Sequence, residues 1–431
     1  MSARATCEAA MADRAVDVFV TLGDREAGVG RLWSRRRRNA ESQTVTYDDA
    51  YLAADGSYAL DPLLPLVAGP LQTSVGREIF GAFSDSAPDR WGRRLIGRAE
   101  RRRVQRAGGA PRSFSEFDHL LGVRDDLRQG ALRFRDVDGE VFLAPPDSGV
   151  PSLLQLPELL GAAERLDRDE ESEQELASLL RGGSSLGGAR PKAHVLDDTG
   201  RIAIAKFPSP SSDQWDVMRW EAVALELARA AGMRVPASRL LNLDGRSVVV
   251  IDRFDRSGGR RIGYVSAMTM LERADGEHGS YLEIAEVLQS SGASATDDLR
   301  ELWRRITFSI LISNFDDHLR NHGFLRLSSG GWTLSPAFDV NPDPRPGDRH
   351  LSTAIDFDNT DASLELALDV AEEFRLDRSQ ALETLREVHG AVAGWRQEAS
   401  RSGLKASEIE LMTPAFVHDA ELQARDLLAS I

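Results

Sequence analysis

Asp316-Asp317-His318-Leu319-Arg320-Asn321, followed by Ser335-Pro336-Ala337-Phe338-Asp339, is the stretch that decides the fold. Asp316 and Asn321 are separated by four residues, and a second acid arrives after a short hydrophobic run. Phosphoryl transfer needs this spacing for a mechanical reason. A base must sit beside the attacking hydroxyl, while an amide on the same loop and a carboxylate from the next strand hold Mg²⁺ against nucleotide phosphates. Asp316 is then the predicted base, with Asn321 and Asp339 on the metal. Acids and Asn also cap helices and fill polar turns, so the surroundings carry the reading. An apolar run, 306–312, leads in. Gly323-Phe324-Leu325-Arg326-Leu327 leaves as a short strand, Gly330-Gly331 turns, and Trp332-Thr333-Leu334 returns as a second strand toward Asp339.

Phosphate-gripping parts lie upstream in order. Gly182-Gly183-Ser184-Ser185-Leu186-Gly187-Gly188-Ala189-Arg190-Pro191-Lys192 lets backbone N–H groups approach phosphate oxygens and carries two cations. No Gly-Lys-Ser or Gly-Lys-Thr follows the glycines, so it is not a Walker A loop. A flexible linker has similar composition, but Ala193-His194-Val195 starts a strand where a linker would continue. Arg201-Ile202-Ala203-Ile204-Ala205-Lys206-Phe207-Pro208 alternates as a strand, and its lysine is placed like the third-strand lysine of kinases. Val217, Trp220, Ala224, Leu227 and Ala231 recur at helical steps, predicting a helix over 216–231 stopped by Gly232. Glu221 falls in its first turns, where a kinase places the partner of that lysine and where the helix dipole also favours Glu. Ser247-Val248-Val249-Val250-Ile251 is a buried-strand signal running into Asp252-Arg253-Phe254-Asp255-Arg256, the position of an adenine-reading hinge.

With these segments in place the chain resembles the HipA-like serine/threonine protein kinases, the toxin halves of bacterial type II toxin–antitoxin pairs. The likeness rests on Ser185-Leu186-Gly187-Gly188-Ala189-Arg190-Pro191-Lys192, Ala205-Lys206-Phe207-Pro208, 252–256, 316–321 and 336–339. It extends to Val18-Phe19-Val20, Gly28-Val29-Gly30 and Phe83-Ser84-Asp85-Ser86-Ala87-Pro88-Asp89, which look like the family's accessory α/β domain. The resemblance implies an ATP- and Mg²⁺-dependent kinase. Gly187, Gly188, Ala189, Arg190 and Lys192 would cradle the phosphates and Lys206 would bind them. Asp252, Arg253 and Phe254 would contact the adenine side, with His318 and Phe338 near the nucleotide. It also implies Ser185 as an inactivating autophosphorylation site, with Ser184 adjacent, and a HipB-like helix-turn-helix antitoxin through which alone the protein would meet DNA. Two departures stand out. Asp252 replaces a common Glu at a backbone contact, and Asp317 sits where a small residue can occur, so either acid of the pair could be the base. Asp316 alone has the four-residue gap to Asn321.

The fold expected is an α/β amino-terminal half, an accessory domain plus a kinase-like small lobe, packed on a mainly α-helical large lobe. The expected divisions are 14–150 accessory domain, 151–180 acidic linker or helix, 181–252 small lobe and 253–431 large lobe, with helices over 364–392 and 409–428. A catalytically inactive co-repressor acting through the antitoxin, or a small-molecule phosphotransferase, would share these loops.

Composition agrees: among 431 residues, 42% hydrophobic and 28% charged is ordinary globular usage. No run approaches a membrane span and Met1-Ser2-Ala3-Arg4 lacks a signal-peptide core, so a cytoplasmic protein is expected. The single cysteine, Cys7, excludes internal disulfides and thiolate zinc clusters. His318 and His322 stand four apart without the Glu of a zinc-protease helix. A net charge of −15 opposes DNA binding by the chain as a whole. Arg90, Arg93, Arg94, Arg98, Arg101, Arg102, Arg103 and Arg106 crowd one helix after Pro88, and Arg35 to Arg38 form a second basic run. Both are expected as solvated faces. The acidic stretch 167–175 is expected as an exposed helix or linker without chemistry of its own.

Overall fold

The computed structural model describes residues 14–22, 25–37, 40–144, 149–183 and 188–429. Its first sheet is built from β1 (Arg14–Leu22), β2 (Arg25–Arg37), β3 (Ala40–Tyr47), β4 (Pro70–Gln72) and β5 (Arg133–Asp136), antiparallel in the order β4-β3-β2-β1-β5. Period-two alternation puts Val16, Val18 and Val20 in the core, where Phe80, Phe83, Phe117 and Phe134 cover them. The register slips between Val18 and Phe19. Opposite that bulge Gly30 sits at φ +149, and a Cβ there would lie 2.0 Å from the Thr46 carbonyl oxygen. Only glycine fits.

The second sheet holds β6 (Lys192–Leu196), β7 (Ile202–Lys206), β8 (Ser238–Leu243) and β9 (Arg246–Asp252), antiparallel in the order β6-β7-β9-β8. The helix Val217–Ala230 packs on it, Asp216 capping its amino end by accepting from the Arg219 N–H. After a small hairpin, β10 (Arg256–Ser257) with β11 (Arg260–Arg261), comes a third sheet of β12 (Tyr264–Ser266), β13 (Gly323–Arg326) and β14 (Trp332–Leu334). It docks on a helical body around Ala295–Ile312, whose Leu299, Leu302, Trp303, Ile306, Phe308 and Ile310 are fully buried. Arg378–Ala393, Trp395–Arg401 and Asp419–Ala429 complete that body. The protein is thus a mixed α/β structure of three main sheets with helices concentrated toward the carboxy terminus.

One expectation changes. The arginine-rich helix Arg90–Ala107 is only in part a solvated face: Arg90, Arg101, Arg103 and Arg106 are exposed, while the acidic stretch lies along one side. Arg94 meets Asp167 at 3.3 Å, Arg98 meets Asp169 at 2.5 Å and Glu171 at 2.9 Å, and Arg106 meets Glu173 at 2.6 Å. On another side Arg93 grips Glu116 with both terminal nitrogens at 2.6 Å. The acidic stretch thus neutralises part of the arginine run. The segment expected as an acidic linker or helix carries two helices, Leu156–Asp167 and Glu173–Arg181, the second with a Ser172/Glu175 capping box. Among the described residues no helix is long and apolar enough to cross a membrane.

Candidate active site

The cleft lies between the second sheet and the loops flanking β13 and β14. Lys206, the last residue of β7, is nearly buried, and its Nζ donates to Glu221 Oε1 at 2.5 Å and Asp339 Oδ1 at 2.9 Å. The strand places the lysine, the helix Val217–Ala230 brings Glu221 beneath it, and the segment after β14 brings Asp339 from the other side. Burial alone would raise the Asp339 carboxyl, but the Lys206 ammonium dominates and holds it at about 2. Burial pushes Glu221 upward despite the same ammonium, with Asp339 adding repulsion. Asp339 adopts a left-handed φ of +56, a conformation that Asp and Asn tolerate better than other side chains.

The catalytic-loop candidates follow the left-handed Ser313 that ends the helix Ala295–Ile312. Asp316 is exposed, while Asp317 is buried. Partial desolvation pushes the Asp316 carboxyl up, with the Asp339 and Asp317 charges adding to it and His318 opposing. The Asn321 side-chain amide donates to the Asp316 carbonyl at 3.0 Å, closing the loop and leaving its own Oδ1 as acceptor. Asp317 points into the protein, accepting from the Tyr281 hydroxyl and from Ser309 Oγ at 3.2 Å, with His322 Nε2 3.1 Å from its other oxygen. These donors outweigh burial and keep its carboxyl below the usual range. Of the paired acids only Asp316 is open to the cleft.

The phosphate-side candidates are partly described. Ser184, Ser185 and Gly187 lie outside the described residues. Gly188 adopts φ +103, and a Cβ there would approach Lys192 Nζ at 3.3 Å and Asp339 Oδ2 at 3.9 Å, so the loop's end, Lys192 and Asp339 converge. Lys192 is paired across strands with Lys206 and donates to Asp89 Oδ2 at 2.7 Å. Ala189 is exposed, and Arg190 pairs with Asp213. At the hinge position Asp252 bonds Ala237 through its backbone N–H at 2.8 Å. The Arg253 guanidinium is buried on Asp255 and on the Leu127 and Arg128 carbonyls, so only its backbone is left to meet a ligand. The Phe254 and Phe338 rings lie 5.4 Å apart. His318 caps the short turn Leu319–Asn321, and its Nδ1 is buried without a partner.

Two residues escaped sequence reasoning. The Asn341 side-chain amide donates to Asp339 Oδ1 at 3.4 Å while its own Oδ1 is buried without a partner, and its backbone N–H donates to Asn314 Oδ1 at 3.0 Å. Its position two residues past Asp339 was the available signal. Asp89, in the accessory region, is the partner of Lys192, and nothing in local spacing links them.

Residues 184–395 match the family described as the HipA-like C-terminal domain. A protein of Sinorhizobium fredii named as a candidate kinase, Y4dM, is 28% identical over 222 residues, covering 47% of this chain and 53% of that one. A Haemophilus influenzae protein, likewise named as a candidate kinase, is 26% identical over 191 residues, covering 38% and 54%. The chain thus spans about half the length of the curated relatives it matches. The HipA chain of Shewanella oneidensis, solved with HipB and operator DNA, superposes with a TM-score of 0.64 at 16% identity over 96% of each chain, a likeness of fold. Residues 184–395 are thus similar to the HipA-like C-terminal domain, and the chain as a whole shares the HipA fold.

Proposed function

We propose that the protein is an ATP- and Mg²⁺-dependent serine/threonine kinase. The observation that carries this reading is the Lys206 ammonium held between Glu221 and Asp339, in one cleft with an exposed Asp316. Lys206 and Lys192 supply the cations that two or three anionic phosphates need, and the backbone N–H groups beside Gly188 approach them closely. The donor set suits Mg²⁺. Among the described residues no three His, Cys, Asp or Glu side chains gather, so the cation favoured is one that takes few protein oxygens and keeps water and phosphate ligands. Asp339 and the Asn321 Oδ1 are those oxygens, with Asn341 steadying the carboxylate. Bound there, the metal would neutralise charge developing on the transferred group.

Asp316 orients the acceptor hydroxyl and takes its proton as the oxygen attacks. A carboxyl raised by partial desolvation is a better base than an ordinary one. Asp317 holds the loop from beneath. The Shewanella complex pairs a chain of this fold with HipB and operator DNA. By extension we propose a HipB-like helix-turn-helix partner here, with DNA met through that partner. Incubation with labelled ATP and Mg²⁺, followed by phosphosite mapping, tests the reading. Label on Ser or Thr that disappears in Asp316→Asn supports it, and absence of both ATP binding and transfer rejects it.

A further inference from the structure

Asp85 and Asp89 lie on one accessory-region turn, between the helices Gly81–Asp85 and Arg90–Ala107, and both are buried or nearly so. Burying two carboxylates is costly unless each is paired, so their partners are informative. Asp89 uses Oδ1 to cap the arginine helix, accepting from the Gly92 N–H at 2.7 Å. Capping needs no more. Its Oδ2 accepts from Lys192 Nζ at 2.7 Å, and the neighbouring Trp91 Nε1 donates to the Lys192 carbonyl at 2.9 Å. The accessory region therefore fixes both backbone and ammonium of the residue that ends the glycine-rich segment.

Asp85 reaches the opposite side of the cleft. It accepts from the Ser266 N–H at 2.7 Å, Ser266 Oγ at 2.8 Å and Thr269 Oγ1 at 2.7 Å, and meets the Arg320 guanidinium at 3.4 Å. Arg320 belongs to the catalytic-loop candidate. Ser266 is the register partner of Gly323, and the next residue, Ala267, donates from its N–H to the His322 carbonyl at 2.7 Å. The exit of that loop is thus held twice over by one carboxylate.

We propose that the Asp85 to Asp89 turn is a positioning element of the active site, Asp89 setting the Lys192 ammonium for the nucleotide phosphates and Asp85 holding the catalytic loop through Ser266 and Arg320. The inference rests on the kinase reading above. It assigns the accessory region a part in turnover, where simple domain adhesion would give it only a part in stability. Because the two acids serve different loops, they should affect different kinetic constants.

The test uses the full chain with Asp89→Ala, Asp89→Asn, Asp85→Asn and Arg320→Gln, measuring ATP transfer kinetics, affinity for a non-hydrolysable ATP analogue, and Tm. Asp89→Ala is expected to raise the ATP KM and the analogue Kd about tenfold, with kcat within about twofold of wild type. Asp89→Asn keeps an acceptor for Lys192 and should recover part of that loss. Asp85→Asn and Arg320→Gln should lower kcat by about tenfold while leaving the analogue Kd unchanged. Arg320→Gln reads the same contact from its more exposed partner if Asp85→Asn fails to fold. Wild-type constants in the variants, or loss of Tm and activity together without this split, overturn the proposal. A wild-type protein that binds no ATP rejects the kinase reading, and this inference with it. Normal wild-type transfer beside unsplit variants rejects the positioning role alone.

Discussion

Lys206 Nζ lies 2.9 Å from Asp339 Oδ1, so the lysine that ends β7 is bonded directly to the carboxylate proposed to hold the metal. The contact spans 133 residues of sequence and ties the second sheet to the segment beyond β14. Such a charge pair stabilises the cleft only while both partners are present, because a single charge left buried is penalised.

Exchanging Asp316 and Asp339 one at a time separates chemistry from binding. Asp316→Asn should abolish transfer, by at least about 10³-fold, with analogue affinity near wild type, because the base acts on the acceptor and not on the nucleotide. Asp339→Asn should weaken Mg²⁺-dependent binding too. Calorimetry with the analogue, with and without Mg²⁺, distinguishes them. Full transfer in Asp316→Asn would reject its role.

Asp317 should prove structural. Asp317→Ala strands the Tyr281 hydroxyl, Ser309 and His322 in a buried site, and we expect a loss of about 3 kcal/mol in stability. Its depressed carboxyl fixes the pH dependence. The stability it supplies is full above the unfolded carboxylate value near 3.9, and is lost as pH falls from there through the lower folded value. Denaturant melts of wild type and variant should therefore converge in acid. A gap that stays constant down to pH ~2 would reject the ionic account.

The arginine helix should bind DNA poorly while its acidic partners are in place. Glu171→Gln removes the charge facing Arg98 and Arg102, and should raise weak duplex binding. Each arginine freed to meet a phosphate should steepen the salt slope by about 0.9. Fluorescence anisotropy across a salt series measures this. Nanomolar, sequence-specific binding by the isolated wild-type chain would contradict the picture.

The arginine helix also shows where sequence reading stopped. Both charge runs were plain as runs, but Arg98 and Glu171 are 73 positions apart, and no local period reports a pairing across that distance. The same applies to Asp89 and Lys192, 103 apart. What was legible had a local cause. Alternation marked β7, three- and four-residue steps marked the helix Val217–Ala230, and the Gly330-Gly331 turn marked the hairpin before Asp339. In sequence only the four-residue gap to Asn321 favoured Asp316 over Asp317, because adjacent residues share their other local signals. Burial separates them, and burial is a property of the packed body beneath the loop.

Phosphorylation of Ser185 is the last expectation, and its neighbourhood makes the sign clear. The serine itself lies outside the described residues, three positions before Gly188, where a Cβ would come within 4 Å of both Lys192 Nζ and Asp339 Oδ2. A phosphate adds roughly −1.5 to −2 charges beside the place proposed for the nucleotide's anionic tail. Repulsion then disfavours the loop's gripping position, so the modified protein should bind ATP more weakly and transfer more slowly. Transfer to Ser185 should be intermolecular, because a loop holding the nucleotide cannot also bring its own hydroxyl into line with Asp316. Mixing Asp316→Asn protein with wild type tests the direction, since the inactive copy should acquire label at Ser185 and lose it in a Ser185→Ala background. Peptide mapping must separate Ser185 from Ser184. A phosphorylated form as active and as tight for ATP as the unmodified one would reject the switch and leave the kinase reading standing.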